Sequence, residues 1–468
     1  MGIEQNTDQW SFETDVVVVG SGGCGLTAAL AAAEGGVEVF VLEKQSRPWS
    51  NTARSYGMIP AAGTKYQRAV GIVETPQDFA TDILAKNHHA SDPDMTLHLA
   101  ETVVTLVEWL IDDIGVNLLF VDDFTYPGHS QKRMHAPPNR TGAELHADLR
   151  RAVQSNPNIE LVTDAPVSGL VVDDHNAVIG VVVERGSQQE RVKAKKIILA
   201  CNGFAGNEEM VRQYIPVMAN ALYFGGEGNT GEGILWGKEL GGAVAFMDAY
   251  QAHGSVATPH EVLITYALVA EGGFQVNKYG KRFGTEDQGY SERALEVLDQ
   301  PDGLAWDIYD ERLHHLGMTF EDYRNAHEAG AIKSSETIEG LAEMFSLPSD
   351  QLVQTLAAYH AAANREQDDV LGRKHCIRLE PPFYGVKVTG ALFHTQGGLK
   401  VDVNARVLKE DGMVVPNLYA GGGVAAGVSG HGPDGYLSGN GLLTALGYGM
   451  LAGRDAVRAI KEDPYSNT

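Results

Sequence analysis

Gly20, Gly22 and Gly25 fall in the run DVVVVGSGGCGLTAALAAAEGGVEVFVLE, residues 15–43, and their spacing suits the handling of a pyrophosphate. Gly20 permits a tight turn, Gly22 lets the backbone approach a phosphate closely, and Gly25 allows a following helix to pack tightly. A helix opening near Cys24 aims its free amides and positive dipole end at the same point. Glu43 closes the next strand roughly 20 residues on, where a carboxylate can accept ribose hydroxyls. A glycine turn alone would be a weak signal. Here a β-branched strand, Asp15 to Val19, precedes the turn, and a second strand ends on the acid, so the segment reads as a βαβ unit that binds FAD or NAD. Gly23 and Cys24 complete the turn, and Lys44 follows the acid.

Further elements along the chain extend this unit and favour a flavin over a nicotinamide. WSNTARSYGM, residues 49–58, places Asn51, Thr52, Ala53, Ser55, Gly57 and Met58 in a small, polar loop suited to wrapping an isoalloxazine ring. Residues 159–183, which include Ala165 and Val167, alternate about a turn and predict a hairpin-like insert. In KAKKIILACNGFAGNEEM a strand from Lys196 to Ala200 leads into a glycine turn that contains Gly203 and reaches Asn207. NLYAGGGVAAGVSG, residues 417–430, repeats the strand-to-glycine pattern through Gly421 and Gly422. It runs on towards a helix from about Gly439 to Ile460 that carries Gly441, Leu442 and Leu443.

Composition sets outer limits. At 468 residues the chain exceeds the usual size of one core, so at least two domains are expected. Its formal charge of −25 opposes nucleic acid or an anionic membrane as partner, since either needs a basic face. The three cysteines, Cys24, Cys201 and Cys376, form no CxxC or CxxCH and no metal-ligand spacing. His88, His89 and His98 read as surface helix residues with no third ligand in sight, so no metal is expected. No signal-peptide pattern and no membrane-length apolar run is present, which predicts a cytoplasmic protein without membrane insertion.

Over nearly its whole length the chain resembles the fumarate reductase and succinate dehydrogenase flavoprotein family, which includes soluble fumarate reductases and 3-ketosteroid dehydrogenases. The resemblance rests on VGSGGCGLTAALAAAEGG with Glu43, on SNTARSYGM, and on ILACNGFAGN. It continues through GNTGEGI (which contains Gly231 and Gly233), QVNKYGKRFGTE, FHTQGGL (with Gly397), YAGGGVAAG and YLSGNGL. It implies a Rossmann-like FAD-binding domain of the glutathione reductase type, interrupted by an α+β capping domain. On that pattern residues 1–235 and 380–468 form the FAD domain and 236–379 the cap. Two cap helices are expected in SSETIEGLAEMFSL and SDQLVQTLAAYHAAAN, each opened by a capping serine. Relatives that hold FAD covalently do so through a histidine where this chain has Asn51, so the resemblance implies non-covalent FAD. Without a haem-attachment signature, electrons must pass to a separate acceptor such as oxygen, a quinone or an electron carrier.

Two arginines that serve fumarate reductases are replaced here. Aligning GKRFGTEDQGYSERALEVLDQ puts Tyr290 at the position of the proton-delivering arginine, with Tyr266 and Tyr250 as alternatives, and YLSGNGL puts Tyr436 at the carboxylate-clamping one. Tyrosine cannot supply the bidentate grip of a guanidinium. The pair resembles instead the ketosteroid dehydrogenase branch, in which one tyrosine is a base and another polarises a ketone. Tyr436 and the amide of Gly439 or a nearby glycine would receive the ketone oxygen, and Tyr290 would take the proton. A phenol near pKa 10 must be depressed, or must relay its proton, to act as a base near neutrality. Ser438 would add a donor or simply cap the last helix. His253 in YQAHGS and His394 in FHTQGGL match residues that hold a substrate carboxylate in fumarate reductases. Phe124, Tyr126, Phe393 and Trp49 would wall a ring substrate or belong to the core. The expected function is FAD-dependent desaturation beside the ketone of a small cyclic substrate: a 3-oxosteroid, a cyclohexanone or a 4-oxocyclohexanecarboxylate. An enoate reductase for a fumarate- or urocanate-like acid is the alternative, and an electron-transfer subunit without its own substrate a remote one.

Overall fold

The computed structural model describes residues 2–47, 49–186 and 188–462. Its larger sheet is built around Phe12–Val19, whose Val16, Val17 and Val18 are wholly buried, as a strand covered on both faces requires. Val39–Leu42 and Ile159–Val162 extend this sheet in parallel on one side, and Gln188–Leu199 and Val414–Ala420 on the other. Helices Gly23–Ala33 and Asn440–Glu462 pack together against it. Gly449 and Gly453 let them approach, since a Cβ on either would lie 2.5 and 2.4 Å from the Cys24 and Ala28 carbonyl oxygens.

Several sequence expectations change here. Ile159–Val162 belongs to the parallel sheet and not to an insert; the hairpin is formed by Val167–Val172 and Val178–Arg185. The strand expected from Lys196 begins at Gln188, because its first half pairs with Val178–Arg185 while its second half enters the parallel sheet. Both capping serines fail. Thr337 caps Ile338–Phe345 by accepting from Gly340 N at 3.1 Å, and Ser349–Ala363 follows Pro348 with no side-chain cap. His88 and His89 lie in a left-handed turn after helix Pro76–Lys86, so they are not helix residues.

A second, seven-stranded sheet has Phe383–Thr395 at its centre, flanked by Tyr250–Ala257 and Leu304–Asp310. Its long central strand comes from beyond residue 379, so chain that flanks the 236–379 segment also builds this sheet. Helix Tyr290–Leu298 lies across the two strands that carry His253 and His394. Gly254 and Gly390 make that contact possible: a Cβ at Gly390 would fall 2.6 Å from the Ala294 carbonyl oxygen, and one at Gly254 3.2 Å from the Arg293–Ala294 backbone.

Candidate active site

The glycine turn is built for a ligand backbone and nothing larger. Gly20 has φ +104°, and a Cβ there would meet the Ala200 carbonyl oxygen at 2.6 Å. At Gly25 a Cβ would lie 1.9 Å from the Gly20 carbonyl oxygen, so this residue serves helix packing. Glu43 accepts from Ser21 N and Ser21 Oγ at 2.9 and 2.8 Å and from Gln45 N at 2.9 Å, which ties the acid to the turn. Thr52 Oγ1 accepts from Gly23 N at 3.0 Å and joins the polar loop to the same turn. Asn51 Oδ1 accepts from Gly226 N at 2.8 Å.

A cavity open to solvent runs from this turn to the second sheet. Its wall includes Gly20, Gly22, Gly23, Cys24, Glu43, Lys44, Asn51, Thr52, Ser55, Met58, Val167, Ala200, Gly422, Gly439, Gly441 and Leu442. Tyr290, Tyr436, His253, His394 and Ser438 line the same space. Other expected contacts stand behind the wall. Gly203, Gly397 and Gly421 fill tight packing positions against Thr395, Phe246 and Cys24. Asn207 caps helix Glu208–Tyr214, and Gly231 opens Glu232–Glu239, where Gly233 faces Cys201. Ala53, Ala165 and Leu443 are core, and Gly57, with φ +66°, packs on Pro137.

Tyr290 is the first residue of its helix, and its ring lies 4.7 Å from His253, nearly parallel to it. Tyr436 stands across from it with ring centroids 6.1 Å apart. The Tyr290 hydroxyl faces Tyr436 and Ser438 closely enough for both to influence its ionisation, and Tyr436 Oη accepts from Gly441 N at 3.3 Å at the start of the last helix. Burial pushes Tyr436 up to about 12 and Tyr290 well above the usual phenol range. Of the two routes expected from sequence, a depressed Tyr290 or a proton relay, the first is absent, because burial dominates its ionisation. Burial also holds His253 down to about 3 and His394 to about 4, so both rings are neutral. Ser255 N donates to His253 Nδ1 at 3.1 Å, which leaves Nε2 protonated as a donor.

The apolar walls are Tyr56, Met58, Tyr126, Met134, Leu263, Phe224 and Phe393. Two cations reach the cavity among the described residues, Lys44 and Arg54. Lys44 is paired with Glu232 at 3.1 Å, and Arg54 lies over the Phe224 ring at 5.9 Å. The arginine of the WSNTARSYGM loop, Arg54, reaches the cavity, whereas sequence reasoning missed Tyr56, Phe224 and Met134 as cavity residues and left Tyr126 undecided. Tyr126 meets the Tyr290 ring edge-on at 5.9 Å. Tyr56, Phe224, Met134 and Tyr126 lie in short strands and loops without a periodic pattern, and a motif residue's neighbours gave no sign of which ones face the cavity.

A parallel sheet with a glycine-lined cleft and Tyr436 at the foot of its last helix, faced by a second sheet whose helix brings Tyr290 to that cleft, defines a two-sheet flavoprotein oxidoreductase. Residues 15–442 match the FAD-binding-domain family, and the chain belongs to it, within the fumarate reductase and succinate dehydrogenase flavoprotein group. It is 30% identical over 454 residues to a probable fumarate reductase, Ifc3, of Shewanella frigidimarina (strain NCIMB 400), covering 96% of this chain and 75% of that protein. The open conformation of a flavocytochrome c3 fumarate reductase superposes with a TM-score of 0.79 at 30% identity, over 96% of this chain and 79% of that one. A 3-ketosteroid-Δ4-(5α)-dehydrogenase from Rhodococcus jostii RHA1, in complex with 4-androstene-3,17-dione, gives a TM-score of 0.74 at 26% identity, over 97% and 98%. This chain is thus an FAD-dependent oxidoreductase acting on CH–CH groups. No described helix is long and apolar enough to cross a membrane.

Proposed function

We propose that the protein desaturates a cyclic ketone beside its carbonyl, with Tyr290, Tyr436 and the Gly439 amide as the working groups. The observation that carries this reading is the facing tyrosine pair, ring centroids 6.1 Å apart, in a cavity with apolar walls and neutral histidines. A dicarboxylate needs cations at both ends, whereas the described cavity wall offers one guanidinium outside an ion pair, Arg54. Bound FAD supplies the two-electron acceptor. The Tyr436 hydroxyl and Gly439 N–H receive the ketone oxygen, and donors of this kind contribute on the order of 3 kcal/mol each as enolate charge develops. Tyr290, as the scarce phenolate that has released its proton to solvent, takes the proton from the carbon beside the carbonyl. His253 Nε2–H adds a neutral donor on the opposite wall. The segment 236–379, together with strand Phe383–Thr395, forms the cap that carries Tyr290, and FAD is held without a covalent bond.

A second reading, reduction of an enoate, draws on one observation: Tyr290 is buried and protonated, the state a proton donor needs. Anaerobic mixing of the protein with cyclohexanone, 4-oxocyclohexanecarboxylate and a saturated 3-ketosteroid separates the two. Loss of oxidised-flavin absorbance with one ketone, slowed about 100-fold or more in Tyr290→Phe and Tyr436→Phe, supports desaturation and names the substrate class. No bleaching with any ketone, while fumarate or urocanate reoxidises the reduced protein, overturns it in favour of the reductase.

A further inference from the structure

The peptide group between Ser438 and Gly439 has its carbonyl on one side and its N–H on the other, because it is planar and trans. Gly439 lines the cavity, and its N–H has no hydrogen-bond partner among the described residues. The Ser438 carbonyl oxygen is held on the far side by His129 Nε2 at 2.9 Å. The other ring nitrogen, Nδ1, meets Arg133 Nη1 at 2.9 Å. A guanidinium has donors only, so Nδ1 accepts, the ring is neutral, and Nε2 carries the proton that goes to the Ser438 carbonyl. Burial, with the Arg133 charge adding to it, lowers the His129 pKa to about 3, in keeping with that tautomer.

Arg133 is itself fixed. It is 1% exposed and donates through Nε to Glu74 Oε1 at 3.0 Å and through Nη2 to Asp82 Oδ2 at 2.6 Å, with a further bond from Nη2 to Glu74. Phe79 lies beneath both side chains, 4.8 Å from the guanidinium and 6.2 Å from the imidazole. At Gly439 φ is +90°, and a Cβ would strike Pro60 at 2.7 Å, so the turn depends on outside contacts for its orientation.

We propose that His129, locked by Arg133 as the Nε2–H tautomer, is a positioning residue that aims the Gly439 N–H into the cavity and strengthens it as a donor. A hydrogen bond received by a peptide carbonyl polarises the whole amide, so its N–H becomes a better donor to developing negative charge. The inference rests on the ketone reading, in which that N–H receives the ketone oxygen.

The test compares wild type, His129→Phe, His129→Gln and Tyr436→Phe for ketone-dependent flavin bleaching. His129→Phe keeps a ring on Phe79 but has no donor. The expected result is a kcat about 100-fold lower, as when one such donor is lost, with KM changed by no more than about threefold, FAD retained, and most of kcat recovered in His129→Gln. Wild-type bleaching that fails in Tyr436→Phe but survives in His129→Phe overturns this inference and leaves the ketone reading standing. No bleaching in wild type removes both. If His129→Phe does not fold, ¹⁵N NMR of histidine-labelled wild type at pH 5 decides: a neutral Nε2–H signal for His129 supports the lock, and a cationic ring or an Nδ1–H tautomer overturns it.

Discussion

Single residues decide the chemistry, and their ionisation gives it a pH signature. Tyr290 and Tyr436 are held above the ordinary phenol range by burial, so both are protonated at neutral pH and the base form of Tyr290 is scarce. Ketone desaturation should therefore rise with pH by up to about tenfold per pH unit between roughly pH 7 and 9, measured as the anaerobic flavin-bleaching rate; a flat profile would mean that proton removal is not limiting. Asn51 offers no imidazole for a covalent link. Acid precipitation should accordingly release all of the flavin into the supernatant, and yellow colour kept in the pellet would contradict this. The tyrosine positions were legible because they sit in ordered motifs. Their raised pKa was not, because burial depends on which distant segments close over them.

Elements explain why those side chains meet. Helix Tyr290–Leu298 approaches the strands carrying His253 and His394 because Gly254 and Gly390 leave room for its backbone. Gly390→Ala would put a methyl group 2.6 Å from the Ala294 carbonyl oxygen, which overpacks the contact at about 1–3 kcal/mol. It should lower Tm by several degrees and cut ketone turnover more than about tenfold while FAD stays bound; unchanged turnover would show that the helix needs no such close seat. The βαβ unit at Phe12–Leu42 was readable from its valine runs and glycine spacing. The hairpin at Val167–Arg185 was misplaced, because strand period alone does not say which neighbour a strand pairs with, and the capping serines failed where Thr337 stood nearer the helix.

At the scale of the molecule, buried neutral histidines make stability depend on pH. Burial lowers His129 and His253 to about 3, and His135 and His394 to about 4, against about 6.5 in the unfolded chain. The unfolded state then binds more protons below about pH 6.5, so this contribution is complete above that value and falls as pH drops towards 4. Asp307, raised by burial to about 7, and Asp322, raised to about 6, act in the opposite sense but are outnumbered. The net loss between pH 7 and pH 5 should be a few kcal/mol, since each group that is protonated in one state and not in the other contributes up to about 1.4 kcal/mol per pH unit. Thermal unfolding monitored at both values should show a clearly lower Tm at pH 5; an equal Tm would mean that the histidines are not buried neutral.

The nucleotide half of this protein is written locally in its chain, because Gly20, Gly22, Gly25 and Glu43 act through backbone geometry and short-range spacing. That Tyr290, from a helix on one sheet, faces Tyr436, at the foot of a helix on the other, is a property of the folded molecule alone. The same holds for the aromatic walls, the guanidinium of Arg54, and the chain from Glu74 through Arg133 and His129 to the Ser438 carbonyl. Most of these contacts join residues tens to hundreds of positions apart, and packing between distant elements, which no local pattern encodes, brings them together.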